Sequence, residues 1–369
     1  MIRVLYVNGG IMQRGGIESY MMNYYRHLDR NKIQIDFIVH GYGRGVYDDE
    51  IQSMGGKIYH VPVKSKNLIG NIIGIYNICE KGNYQIIHSH MDAMSYLPLK
   101  IAKICGIPVR IAHSHNTDYL TQNKAKRWLN NKARARISKV ATDLFACSQK
   151  AGEWLYGEKN FEIVHNAIDI EKFQYNESIR QKIRNSLGLD EADIVIGHIG
   201  RFEHQKNHEF LIDVFSAVHK ENPHFKLIMV GDGSLKNEIK QKVNELEVSA
   251  DACFFVDSCS NANEYYNAFD LLCFPSHFEG LSVVLIEAQC NGLRCIVSDT
   301  TSREADISDN ISFKPIGEKY INEWKKIIMN SDYFHDVASS RRVVEKGYSI
   351  DSEAELLQKR YQELVDNIR

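Results

Sequence analysis

Short β-rich runs alternate with amphipathic segments along the whole chain, and the alternation starts afresh near residue 194. A parallel strand pair needs a long crossover connection, and a helix supplies it, so this pattern predicts parallel sheets with helical crossovers. In the first half the predicted strands are 3–7, 34–40, 57–63, 84–88, 109–113, 142–147 and 162–165. Ile17, Met21, Tyr24 and Leu28 recur at helical spacing just after the first of them. In the second half the runs are 194–199, 225–230, 253–256, 271–274 and 295–298, with helical patterns at 209–220 and 283–291. At 369 residues the chain is too long for one core, so two domains are expected, 1–170 and 171–351. The join lies in 166–192, which includes the polar stretch 175–184, and a closing amphipathic helix at 352–368 carries Ala354, Leu357, Tyr361, Leu364 and Ile368 on one face. The expected fold class is α/β, two doubly wound domains with a crevice outside the carboxyl ends of their strands.

The formal charge of −2 conceals an asymmetry. Residues 1–170 hold 22 Lys+Arg against 14 Asp+Glu, and the remainder holds 23 against 33. The basic half is the one expected to face an anionic partner. No window approaches 18 uninterrupted apolar residues, which argues against a membrane span, and the run MIRVLYVNGG lacks the basic n-region of a secretory signal. Eight cysteines without a Cys-x-x-Cys pair read as small buried hydrophobes in a reducing compartment. A cytoplasmic protein is expected.

Two loops carry the clearest chemistry. The segment 200–207 follows an apolar strand and sets Arg201 and Lys206 at its carboxyl end, where two fixed cations suit a pyrophosphate. Farther on, Glu279 precedes Gly280, Leu281 and Ser282, and Glu287 stands in the helix after them. The amides of that loop can face phosphate, and a carboxylate accepts two hydroxyls of a vicinal diol. Gly15-Gly16, before the first helix, allow backbone amides to come close to an anion. They do not form the Gly-x-Gly-x-x-Gly dinucleotide fingerprint, which lowers the case for an NAD enzyme. Two His-x-His pairs, His88/His90 and His113/His115, stand at strand ends. Metal ligation, structural histidines and a polar role in the cleft are all open to them; no acidic or thiol partner stands at ligand spacing. The segment 124–139 carries seven Lys/Arg, no acid and Trp128-Leu129, which suits an anionic membrane surface as well as a solvated helix face.

Taken in order, the Gly-Gly loop, the His-containing strand ends, Arg201 to Lys206, Gly231-Asp232-Gly233 and Glu279 to Glu287 resemble the retaining nucleotide-sugar glycosyltransferases of family 4, with the GT-B fold. The likeness runs over nearly the whole chain and is similar to bacterial capsule and exopolysaccharide enzymes. It implies that Arg201 and Lys206 hold the donor diphosphate with help from the Gly16 amide. It implies that Glu279 stabilises the reacting sugar, that Glu287 holds the ribose hydroxyls, and that His115 contacts the donor hexose. His90, His113 and Asn116 fall on the acceptor side. The implied reaction is metal-independent transfer of a hexose, from a uridine diphosphate donor before a guanosine one. The acceptor would be a glycan or lipid-linked sugar at the inner face of the membrane, with no nucleic acid and no cofactor. The resemblance also implies that the closing helix packs back on the first domain. Two positions depart from the family's pattern: His165 and Ala167 stand where Pro and Gly are usual, and Phe255-Val256-Asp257 replaces Phe-x-Gly. The alternatives to an active transferase are a silent sugar-nucleotide-binding subunit and a sugar-nucleotide epimerase on a similar fold.

Overall fold

The structure is a computed structural model that describes residues 1–119, 121 and 123–368. The chain divides into two compact units, 1–167 with 350–369 and 168–349. The first unit is built on a seven-stranded sheet in the order β3-β2-β1-β4-β5-β6-β7. Its strands are β1 Ile2–Val7, β2 Ile33–His40, β3 Ile58–Val61, β4 Ile86–Ser89, β5 Val109–Ser114, β6 Asp143–Ala146 and β7 Glu162–Ile163. The second unit holds six strands in the order β10-β9-β8-β11-β12-β13. These are β8 Ile194–Ile199, β9 Phe225–Val230, β10 Cys253–Val256, β11 Leu271–Phe274, β12 Cys295–Ser298 and β13 Ile311–Lys314.

Every strand pair is parallel. Parallel strands covered on both faces need apolar side chains on both, hence the near-continuous runs LLCF of β11 and CIVS of β12, buried throughout. The order of each sheet reverses once, between β1 and β4 in the first unit and between β8 and β11 in the second. At such a reversal the two connections leave in opposite directions and open a crevice at the carboxyl ends. The candidate residues sit at the carboxyl ends of β1, β4, β5, β8 and β11, in the loops there or in the helices that follow, with His113 inside β5.

The helix Ile350–Asp366 belongs to the first unit and lays Ala354, Leu357, Tyr361, Leu364 and Val365 into its core. Ile368, expected on that face, lies beyond the helix and is exposed, and Val365 fills the place instead. The polar stretch 175–184 lies in the second unit, where the helix Glu177–Ser186 brings Arg180 and Arg184 to Asp270 at 2.5 and 3.2 Å. One other expectation needs correction: the basic segment 124–139, a helix candidate in the sequence, is not one helix. It is helical over Lys124–Arg134 and re-forms as a 3-10 turn over Ile137–Lys139, because Ile137 turns inward to a buried position. The weak strand β13, half-buried along its length, escaped the sequence reading.

Candidate active site

The loop after β8 closes with a 3-10 turn, His204–Lys206, and Asn207 in the left-handed region at φ 55° before the helix His208–Glu221. Asparagine is among the few side chains that adopt this conformation readily. Three hydrogen bonds stitch the loop to the one after β11. Asn207 Nδ2 donates to Pro275 O at 3.1 Å, Gln205 Nε2 to Phe278 O at 3.0 Å, and His277 N to Gln205 O at 2.8 Å. From below, the Gly-Asp-Gly turn presses against the same loop. A Cβ on Gly231, at φ 151°, would stand 2.1 Å from Gly200 O, so only glycine fits there.

This scaffold brings Lys206 Nζ to 2.7 Å from Glu279 Oε1, with the ammonium also 4.5 Å from the centre of the Phe274 ring. Their side chains are 14% and 8% exposed. The sequence reading gave the two residues separate tasks on open loops. In the structure Lys206 is sequestered and already compensated, because an ammonium drawn out of water needs a counter-charge. Arg201 is different: it is exposed and makes no ion pair among the described residues. Gly280, Leu281 and Ser282 are buried, and Ser282 opens the helix Val283–Cys290 without a side-chain capping bond. Glu287, one turn into that helix, accepts a hydrogen bond from Tyr266 Oη at 2.6 Å. Burial pushes its carboxyl up to about 7, against the hydrogen bond, which favours the charged form.

In the first unit the two His-x-His pairs meet face to face. β4 and β5 run parallel in register, with His88 opposite Ile111, and the four rings stack two by two. His88 lies 4.2 Å from His90, and His113 lies 4.1 Å from His115, centre to centre. Across the strands His88 Nε2 is 3.0 Å from His113 Nδ1, and His90 Nδ1 is 3.0 Å from His115 Nε2. All four are buried, and burial holds every one of them well below the ordinary histidine value, His115 to about 3. The cluster is therefore neutral at physiological pH. Gly15 and Gly16 begin the helix Gly16–His27, and a Cβ on Gly16 would meet nothing within 4 Å. Glu18 stands in the first turn, and its Oε2 would be 2.4 Å from a Cβ on Gly15. Glu18 Oε1 accepts a hydrogen bond from Asn8 Nδ2 at 3.0 Å.

The match to known proteins covers both units. The description Glycosyltransferase Family 4 fits residues 14–172, and Glycosyl transferases group 1 fits residues 179–312. The putative glycosyltransferase EpsF of Bacillus subtilis is 34% identical over 334 residues, which is 88% of this chain and 86% of that protein. The chain belongs to the family 4 glycosyltransferases. The Staphylococcus aureus capsular polysaccharide biosynthesis glycosyltransferase CapH is 28% identical over 311 residues, 82% of each chain. Among solved structures, Anabaena Alr3699/HepE in complex with UDP and glucose superposes with a TM-score of 0.80, at 16% identity, over 98% of this chain and 100% of that one. It places this glycosyltransferase in the GT-B fold.

Sequence reasoning missed three residues that shape the site. Asp92 sits at φ 46° just after β4, where Oδ1 accepts His115 N at 2.6 Å and Oδ2 accepts Asn116 Nδ2 at 2.8 Å. Burial raises its carboxyl to about 6. Tyr361, from the terminal helix, is 2.6 Å from His88 Nδ1 and 3.1 Å from Tyr6 Oη. Tyr266 holds Glu287. None stands in a motif, and only contact across 21 to 273 residues of chain reveals them.

His88, His90 and His113 each bring a ring nitrogen within 4.8 Å of the others, the only such group of potential metal ligands among the described residues. A divalent cation would have to displace the hydrogen bonds that occupy both His88 nitrogens, and no carboxylate or thiolate joins the group to offset its charge. On the glycosyltransferase's surface, the helix Lys124–Arg134 buries no residue and exposes Trp128 and Leu129 at 60% and 59%. Arg127 pairs with Asp118 at 2.8 Å, and no ion pair involves Lys126, Arg134 or Arg136 among the described residues. No helix among the described residues is long and apolar enough to cross a membrane.

Proposed function

We propose that this glycosyltransferase moves a hexose from a nucleoside diphosphate donor, UDP-sugar in preference, onto a growing polysaccharide or its lipid-linked precursor, with retention at the anomeric carbon. The observation that carries the reading is the Lys206–Glu279 pair, held across the loops that follow β8 and β11 at the reversal of the sheet. A nucleoside diphosphate reaching that crevice meets the cations Lys206 and Arg201. Both gain strength as the leaving diphosphate gains charge, so they act most in the transition state. No resident metal is invoked, since these two side chains supply the positive charge. Glu279, freed from Lys206 when the diphosphate takes the ammonium, stabilises the cationic sugar carbon. Glu287 receives the ribose hydroxyls.

In the retaining step the acceptor oxygen bonds to C1 on the face that the diphosphate leaves. The bond from C1 to the β-phosphate oxygen breaks, and a leaving phosphate oxygen takes the acceptor proton. His115 contacts the hexose. The Gly16 amide, at a helix start where a Cβ would meet nothing within 4 Å, helps to hold the diphosphate. UDP is favoured because HepE, alike in fold, holds UDP and glucose. A polysaccharide product is favoured because CapH, alike in sequence, is a capsular polysaccharide enzyme. We place the enzyme in the cytoplasm at the inner membrane face, with the helix Lys124–Arg134 against anionic lipid. The test is incubation with a panel of nucleotide sugars and a membrane extract as acceptor source, with chelator present. Transfer of one hexose with retained configuration supports the reading. Inversion, or an altered free sugar released without acceptor, overturns it.

A further inference from the structure

His90 Nδ1 and His115 Nε2 face each other at 3.0 Å inside a buried cluster. Two neutral imidazoles can share that bond in two ways only. In one, His115 carries its proton on Nε2 and His90 accepts it, so that His90's own proton sits on Nε2. That atom is buried and no carbonyl, carboxylate or hydroxyl accepts from it. A buried N–H left unpaired is the costly case, and such donors are rare in folded proteins. In the other arrangement His90 carries its proton on Nδ1 and donates it to His115 Nε2, and His90 Nε2 is a bare lone pair. The proton of His115 then sits on Nδ1, a nitrogen with no hydrogen-bond partner among the described residues. The His115 ring cannot turn away from this arrangement. Its backbone is tied to Asp92, its face stacks on His113, and Tyr20 meets it edge-on at 5.1 Å.

We propose that His90 is a positioning residue that locks His115 in its Nδ1–H form, so that His115 donates a hydrogen bond to a hydroxyl oxygen of the transferred sugar. The inference rests on the substrate contact assigned to His115 above. It removes His90 from the acceptor side, where the sequence reading had set it, and gives it a role one residue removed from the substrate. A partner that fixes one imidazole nitrogen dictates what the other can offer, as in the orienting groups behind catalytic histidines.

Long-range 1H–15N correlation on histidine-labelled protein tests the tautomer directly, with His115 assigned by its loss in H115N. The expected result is a protonated Nδ1 and a bare Nε2 on His115. Kinetics supply the second arm. H90L is expected to lower kcat about tenfold or more while leaving the affinity for UDP unchanged. H90N, whose amide stands near the Nδ1 position, recovers most of that loss, and H115N retains more kcat than H115Q. A proton on His115 Nε2 overturns the inference whether or not H90L folds. So does wild-type kcat in H90L when H115A has lost turnover. Full turnover in H115A overturns the parent assignment instead, and the spectrum still decides the pairing.

Discussion

Lys206 and Glu279, 73 residues apart in sequence, form a 2.7 Å ion pair that joins the loops following two adjacent parallel strands. An ammonium committed to a carboxylate must be released before it can serve a diphosphate. K206A and E279A are each expected to lower kcat about 100-fold or more, as loss of a charge-stabilising group does. Binding should separate them. E279Q uncovers the ammonium, so UDP should bind it at least as tightly as wild type while transfer is lost. Steady-state turnover beside a UDP titration reads both.

The ribose contact proposed for Glu287 predicts a pH dependence of donor binding. Its carboxyl titrates at about 7 in the folded protein, above the ordinary value of 4.5, because burial disfavours the charge. On the proposed assignment the ribose hydroxyls bond to the carboxylate, so donor affinity should rise with pH and level off above 7. One unit below that point roughly a tenth of the sites are ionised, and affinity at pH 6 should be about tenfold weaker than at pH 8. For stability the sign is opposite. The folded state binds this proton more tightly than the unfolded chain, so the stabilisation is full below about 4.5 and is lost as pH rises through 7. E287Q should flatten both profiles, measured by calorimetry and thermal melting.

Asp270 anchors the second unit below its site. Its carboxylate accepts from Arg180, Arg184 and the backbone N–H of Val195, and Arg184 is itself buried. D270A would leave two guanidinium groups without their counter-charge, and is expected to cost about 3–5 kcal/mol. In a unit of this size each kcal/mol shifts the midpoint by roughly 2–4 °C. Thermal unfolding of D270A against wild type measures it.

Five strands of the second unit were legible to the residue because each is a run dominated by apolar side chains, from IVIGHI of β8 to CIVS of β12. β13 was not, since ISFK alternates apolar with polar side chains and is half-buried along its length. The residues of the proposed donor site were singled out for a different reason. Arg201, Lys206, Glu279 and Glu287 stand in an ordered set of motifs, and each is a charge next to an apolar element. What motif order cannot convey is which charges meet. The pairing of Lys206 with Glu279, the Tyr266 hydroxyl on Glu287, the grip of Asp92 on His115 and the reach of Tyr361 to His88 all depend on strand order.

The helix Lys124–Arg134 should carry the protein to anionic bilayers. Cations near such a surface contribute about 1 kcal/mol each. Replacing Lys126, Arg134 and Arg136 by glutamine should weaken flotation with phosphatidylglycerol vesicles about tenfold or more. Neutralising Arg127, engaged by Asp118, should matter less. W128A/L129A should weaken binding at high salt as well, where screening removes the electrostatic part. Unchanged flotation in all of these variants would remove the helix from the account.

The most direct test of the donor site is a calorimetric titration of UDP into the wild type and K206A, with a chelator present throughout. The account predicts one site in the wild type that survives the chelator, and an affinity about tenfold or more lower in K206A. Equal affinity in the two proteins, or binding abolished by the chelator, would contradict it.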